Sequence, residues 1–195
     1  MDAMQARIRF ILETDRLKTV QRQTYITDVS RRENSAEHSW HLALMAILFN
    51  DMANTPDLDL LKVVKMLLIH DIVEIDAGDT FAYDAKAHED KAEREQAAAQ
   101  RLFGLLPEAQ REEMLALWRE FEAQETPEAR FALALDRFHP MLLNLHSQGT
   151  AWRKHGITRR QALERNRMIA DGSEALWKAA QQIVAEATEK GYLAE

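Results

Sequence analysis

The chain has 195 residues and a formal charge of -7, a length that suits one well-packed core and an acidity that argues against a nucleic-acid polymer as partner, because a phosphate backbone calls for a basic surface. With 46% hydrophobic and 29% charged residues, 6 glycines and 4 prolines, the composition is that of a globular protein rich in helix formers. Strand-like alternation is nearly absent, so an all-α, single-domain fold is expected. The lack of cysteine excludes disulfides, thiolate metal sites and a cysteine nucleophile. No segment reaches about 18 apolar residues, and the N-terminal stretch is too regularly charged for a signal peptide, so a cytoplasmic location without membrane contact is expected.

Residues 2 to about 20 are expected to form a first helix with Ile8, Ile11, Leu12 and Leu17 on one apolar face. From Arg22 to Glu33 the pattern breaks into an expected loop that concentrates Arg22, Arg31 and Arg32. Each alone reads as a solvated arginine, whereas three beside an anion would form a clamp. Asn34, with Glu37 at the N3 position, is a capping-box variant that opens a second helix. It sets His38 in the first turn, ahead of Leu42, Met45, Ile47, Leu48 and Phe49. His41, one turn on, reads as core or as support for a site. Thr55 and Pro56 are expected to start a third helix running to Gly78, with Leu61, Val64, Leu68, Ile72 and Ile75 inward.

Within that third helix, the stretch LLIHDIVEIDAGDT sets His70, Asp71 and Glu74 in a segment otherwise suited to a core. Burying these groups unpaired is costly unless a metal or a polar network satisfies them. The i,i+4 spacing of His70 and Glu74, and the i,i+3 spacing of Asp71 and Glu74, point them in neighbouring directions. Asp79 lies just past the expected helix end, where a carboxylate can act on a ligand. A charged helix from about Lys86 to Phe103 follows, with His88 on its surface. Pro107 begins another helix, and Thr126-Pro127-Glu128 caps one with Phe131, Leu135, Phe138, Leu142 and Leu145 inward and Asp136 at its centre. Pro140 predicts a kink that frees the Asp136 carbonyl. From Thr158 on, one or two helices broken near Gly172, with Trp177 and Ile183 on the apolar side, are expected as packing or dimer surface.

His38, the pair His70 and Asp71, and Asp136 thus fall on three expected helices. They form an N/O ligand set suited to one divalent ion, whether Mn, Co, Fe, Ni, Zn or Mg. Four protein ligands can leave positions open for water and substrate.

Three blocks in order, ENSAEHSWH, HDIVEIDAGD and ETPEARFALALD, resemble the HD-domain metal-dependent phosphohydrolase superfamily, and within it the HD-domain 5′-deoxynucleotidases, over about residues 10–146. The resemblance implies an HD-domain helical bundle with helices of 157–190 packed on that core, and a homodimer. It also implies His38, His70, Asp71 and Asp136 as metal ligands, Glu74 and Asp79 beside Asp71 as catalytic carboxylates, and Arg22 as a phosphate-binding residue. One departure touches specificity: where the characterised deoxynucleotidases carry an aromatic residue close after this arginine, Gln23 and Thr24 stand here, so a wall that excludes a ribose 2′-hydroxyl is missing. Only His88 lies between the His-Asp pair and Asp136, which favours one metal over two. The activity implied is removal of phosphate from nucleoside 5′-monophosphates by a metal-activated water. The alternatives are a non-catalytic nucleotide sensor and hydrolysis of another small phosphate ester.

Overall fold

A computed structural model describes residues 2–80, 83 and 90–195. The first helix, α1 (Ala3–Thr14), continues into a 3-10 turn over Asp15–Thr19. It turns a different face inward from the one its periodicity predicts. Ala6 and Leu17 are buried, Phe10 meets Phe103 with ring centroids 6.3 Å apart, and Ile8, Ile11 and Leu12 are all more than half exposed. The apolar stripe is real, but it lies on the surface.

The expected loop after α1 is a two-stranded antiparallel ribbon, β1 (Gln21–Tyr25) and β2 (Arg32–Asn34), with Gln21 opposite Asn34 and Tyr25 opposite Arg32. These strands are too short for alternation to be legible. Asn34 ends β2 and caps α2 (Ser35–Leu48), and the reciprocal Asn34–Glu37 capping box is present. The ribbon therefore delivers the chain to the helix start at a set angle, with His38 completely buried in the first turns.

The third helix is shorter and more broken than its hydrophobic pattern predicts. Asp57 has φ +59, a left-handed conformation that a helix cannot contain, so α3 (Leu60–Ile69) starts on Asp59, whose carboxylate accepts from the Lys62 amide at 3.0 Å. Val63, Met66, Leu67 and Ile69 are buried, while Leu61 and Leu68 are exposed. At His70 the helix tightens into a 3-10 turn (His70–Val73), resumes as the single turn α4 (Glu74–Ala77) and stops at Gly78, whose φ of +77 suits a residue without a β-carbon. The tightening changes how the polar groups of this stretch project.

The helix α5 (Lys91–Phe103) follows; Lys86 and His88 lie outside the described residues. Then come α6 (Glu108–Ala123) and α7 (Pro127–His146), the latter with Thr126 as cap and Pro127 in its first turn. Pro140 sits inside α7 without ending it. The C-terminal part contains α8 (Thr150–His155), α9 (Arg159–Asn166), α10 (Ile169–Gly172) and α11 (Glu174–Glu189), more pieces than the sequence pattern resolves. Among the described residues no helix is long and apolar enough to cross a membrane.

Helix α7 is the axis of the bundle, touching α2, α3, α6, α8, α10, α11 and β1. Phe131 and Leu135 on α7, Leu42 on α2, Met66 and Leu67 on α3 and Leu102 and Phe103 on α5 are fully buried. α10 crosses α7 closely, and a β-carbon on Gly172 would lie 2.2 Å from the Arg130 carbonyl oxygen. That contact is with backbone and cannot yield by a rotamer change. Gly172→Ala is therefore expected to cost about 1–3 kcal/mol through overpacking, read as a lowered denaturant midpoint in equilibrium unfolding; an unchanged midpoint would show that α10 slides freely on α7.

Candidate metal centre and active site

The polar groups that the sequence scatters over α2, the α3–α4 break and α7 meet at one point. Nε2 of His38 lies 2.9 Å from Oδ1 of Asp136, and Nε2 of His70 lies 3.1 Å from Oδ1 of Asp71 and 3.8 Å from Oδ1 of Asp136. Donor atoms of His38, His70 and Asp71 all lie within 4.8 Å of one another. His70 is 5% and Asp71 8% exposed.

His70 provides a test of whether a cation fits here. Its Nδ1 lies 2.9 Å from the Leu67 carbonyl oxygen, so this nitrogen carries the proton and donates it. That leaves Nε2 as a lone pair, buried without a hydrogen-bond partner and aimed at two carboxylates. Lone pair against carboxylate is repulsive, and only a proton or a metal ion between them relieves it. The protein groups alone express this as a proton affinity. Burial lowers the His70 pKa, but Asp71 and Asp136 outweigh it and raise the value to about 9. Asp136 shifts the other way: burial opposes its ionisation, and its bonds to His38 and His70 overcome that and hold its carboxyl well below the usual range. Two imidazoles and two carboxylates so arranged fit a divalent ion.

Arg22 is carried on β1 to the edge of this cluster. Its Nη1 lies 2.9 Å from Asp71 Oδ2 and 3.9 Å from Asp79 Oδ1, and its Nε lies 3.6 Å from Glu33 Oε2. Burial disfavours the guanidinium charge, yet Asp71, Glu74, Asp79 and Asp136 together raise its pKa. The other two arginines of the expected clamp do not join it. Arg31 forks onto Glu37 at 2.8 and 2.7 Å on the exposed side of the ribbon, and Arg32 does not line the pocket.

Glu74 and Asp79 stand beside the ligand cluster. Ser35, the first residue of α2, donates its hydroxyl to Glu74 Oε2 at 2.6 Å. Burial, joined by the charge of Asp71, pushes the Glu74 pKa well above that of a free carboxyl. Burial raises Asp79 too, against the pull of Arg22. Both line a pocket of about 190 Å³ together with Arg22, Gln23, His70, Asp71 and Asp136. Gln23 is held from outside by His155, whose Nε2 lies 3.3 Å from the amide oxygen.

Several residues of the site carried no signal strong enough to be read from sequence. Nδ1 of His38 lies 3.1 Å from Nδ1 of His139, and Nε2 of His139 lies 3.1 Å from Nδ1 of His41. His41 thus lies beside the cluster, one of the two roles expected of it, while His139 shares α7 with Asp136 at i+3 and carries no sequence signal of its own. Glu33, 2% exposed, places Oε2 3.7 Å from His38 Nδ1; burial, against the opposing charge of Arg22, raises its pKa to about 7. The C-terminal helices are more than packing, because Trp152 and Arg165 line the same pocket.

Fold and site together define an all-α protein with a buried His/Asp centre suited to a divalent ion. The chain belongs to the HD domain family, whose model matches residues 14–177. It is 32% identical over 136 residues to the human 5′-deoxynucleotidase HDDC2, covering 69% of this chain and 65% of that protein, so the chain spans about two thirds of the length of that relative. It is 30% identical over 128 residues to the 5′-deoxynucleotidase hdd1 of Schizosaccharomyces pombe, covering 63% of each. The crystal structure of a predicted metal-dependent phosphohydrolase from Magnetospirillum magnetotacticum MS-1 superposes with a TM-score of 0.94 at 51% identity, covering 99% of this chain and 96% of that one. A conserved hypothetical protein from Pyrococcus furiosus shares the fold, with a TM-score of 0.64 at 19% identity over 93% of this chain and 99% of that one.

Proposed function

We propose that this chain is a metal-dependent phosphomonoesterase that removes phosphate from nucleoside 5′-monophosphates, deoxyribonucleotides among them. The observation that carries the reading is the buried, unpartnered Nε2 of His70 facing Asp71 and Asp136, with Arg22 close beside. The 5′-deoxynucleotidase names of two relatives and the phosphohydrolase name of the solved structure support it. His38, His70, Asp71 and Asp136 would hold one divalent ion, which when bound polarises a phosphate oxygen and lowers the pKa of water.

The chain's own groups supply the remainder. Arg22 neutralises the phosphate as charge develops on it. Asp71 and Asp79, both close to Arg22, orient the water. Glu74 and Asp79, the pocket carboxyls whose surroundings raise their pKa, are suited to giving a proton to the leaving 5′-oxygen. Ser35 fixes the rotamer of Glu74 through its 2.6 Å bond. Gln23 presents a polar edge beside Arg22, compatible with a ribose hydroxyl as well as with deoxyribose.

The reading is tested by phosphate release from ribo- and deoxyribonucleoside 5′-monophosphates after chelation, with and without added Mn²⁺ or Co²⁺. Release that needs the metal is expected, and Glu74→Ala should lower turnover by about 10²–10⁴-fold while metal and nucleotide still bind. Binding of both with no release from any nucleotide would establish the sensor reading instead.

Hydrogen-bond logic extends the metal site outward. With a divalent ion on Nε2 of His38 in place of the proton it gives to Asp136, Nδ1 would carry the proton and donate to Nδ1 of His139, and His139 would then donate from Nε2 to His41. His139→Leu is expected to weaken Mn²⁺ binding by about 10–100-fold, measured by chelator competition, and His139→Gln, which can accept and donate at the same points, should restore most of it. Equal losses for both variants would reduce His139 to packing.

The exposed apolar stripe of Met4, Ile8, Ile11 and Leu12 on α1 is the surface we assign to a homodimer, since apolar groups so grouped mark contact sites. Light scattering should give the mass of two chains, and that of one for Ile8→Glu with Leu12→Glu; a wild-type chain that is already single removes this assignment.

A further inference from the structure

The pocket is lined by more guanidinium groups than one reacting phosphate uses. Arg22 reaches it from β1, and two further guanidiniums line it, Arg137 on α7 and Arg165 at the end of α9. The Nε of each is buried without a hydrogen-bond partner among the described residues. Arg137 Nε has only a distant carboxylate, Asp136 Oδ2 at 3.8 Å, and that carboxylate belongs to the proposed ligand set. Among the described residues no carboxylate lies within ion-pair distance of Arg165. The two cations feel each other: burial lowers the pKa of Arg165, and the charge of Arg137 adds to it, to about 10. Trp152, which is buried, stands in the same pocket wall.

Two guanidiniums in one pocket wall, each with a buried Nε idle and sharing only the distant Asp136 carboxylate, are unfavourable in the empty protein. A neutral nucleobase offers them single carbonyl dipoles, whereas a phosphate accepts several N–H bonds at once and cancels the charge. We propose that Arg137 and Arg165 form a second anion subsite, and that the preferred substrate is a phosphate monoester bearing a second phosphate, of the class of nucleoside 3′,5′-bisphosphates. The inference rests on the phosphohydrolase reading and adds the substrate's second charge to it. Water adds to the phosphorus held beside Arg22, the ester P–O bond breaks and the leaving oxygen takes a proton. The second phosphate stays intact on the arginine pair.

The test compares kcat/KM for adenosine 3′,5′-bisphosphate and adenosine 5′-monophosphate in the Mn²⁺-loaded wild type and in Arg165→Gln. A wild-type preference for the bisphosphate of about tenfold or more is expected, the size of one or two charge-assisted hydrogen bonds, and the variant should bring the ratio close to one. A wild-type ratio near one overturns the subsite, and this measurement needs no variant to fold. So does a ratio that Arg165→Gln leaves intact while both esters slow together, which would assign the arginine to the reacting phosphate. Loss of turnover on both esters in the wild type fails the phosphohydrolase reading and the subsite with it, whereas turnover without preference fails the subsite alone.

Discussion

Everything in this molecule depends on bringing Asp136 against His38 and His70 inside a core that excludes water. Carboxylates and imidazole lone pairs placed together there repel unless a positive charge lies among them, and that repulsion marks the cluster as the candidate metal centre. The surrounding groups divide into those that supply charge from outside, with Arg22 foremost, and those that orient the ring nitrogens. Leu67 does this for His70 with a backbone carbonyl, while the His139–His41 pair does it for His38.

The bundle is built to hold that meeting point. α7 runs through the centre with neighbours on all sides, so Asp136 cannot withdraw without opening the core. The 3-10 turn at His70–Val73 lets one short stretch offer His70 and Asp71 to the ligand cluster and Glu74 to Ser35. Strands β1 and β2 place Arg22 on one flank and lead directly into the cap of α2. Glu74 and Arg22 are thus set by separate elements around the one His/Asp cluster.

The pocket's far wall comes from chain segments beyond α7. Trp152 and Arg165 stand on short helices whose own sequence pattern is weak, and they reach the pocket only because α8–α10 fold back over α7, with Gly172 admitting the Arg130 carbonyl. The far wall of the pocket is therefore built by the part of the molecule that local periodicity describes least well.

Composition and local spacing point to the helical class, the Asn34–Glu37 capping box and the four candidate ligands. These are signals of composition, of neighbours three or four residues apart and of costly polar residues in apolar runs, all local in the chain. The sequence's periodicity misjudged which face of α1 and α3 turns inward, because an amphipathic stripe does not say whether a core or a second surface covers it. Tertiary folding alone brings Glu33, Ser35 and His139 to the cluster, keeps Arg31 away from it, and sets Arg137 and Arg165 in one pocket wall. The pairs Ser35 with Glu74 and His38 with His139 join residues 39 and 101 positions apart, and their energies arise from burial and charge proximity, which exist only once the chain has closed on itself.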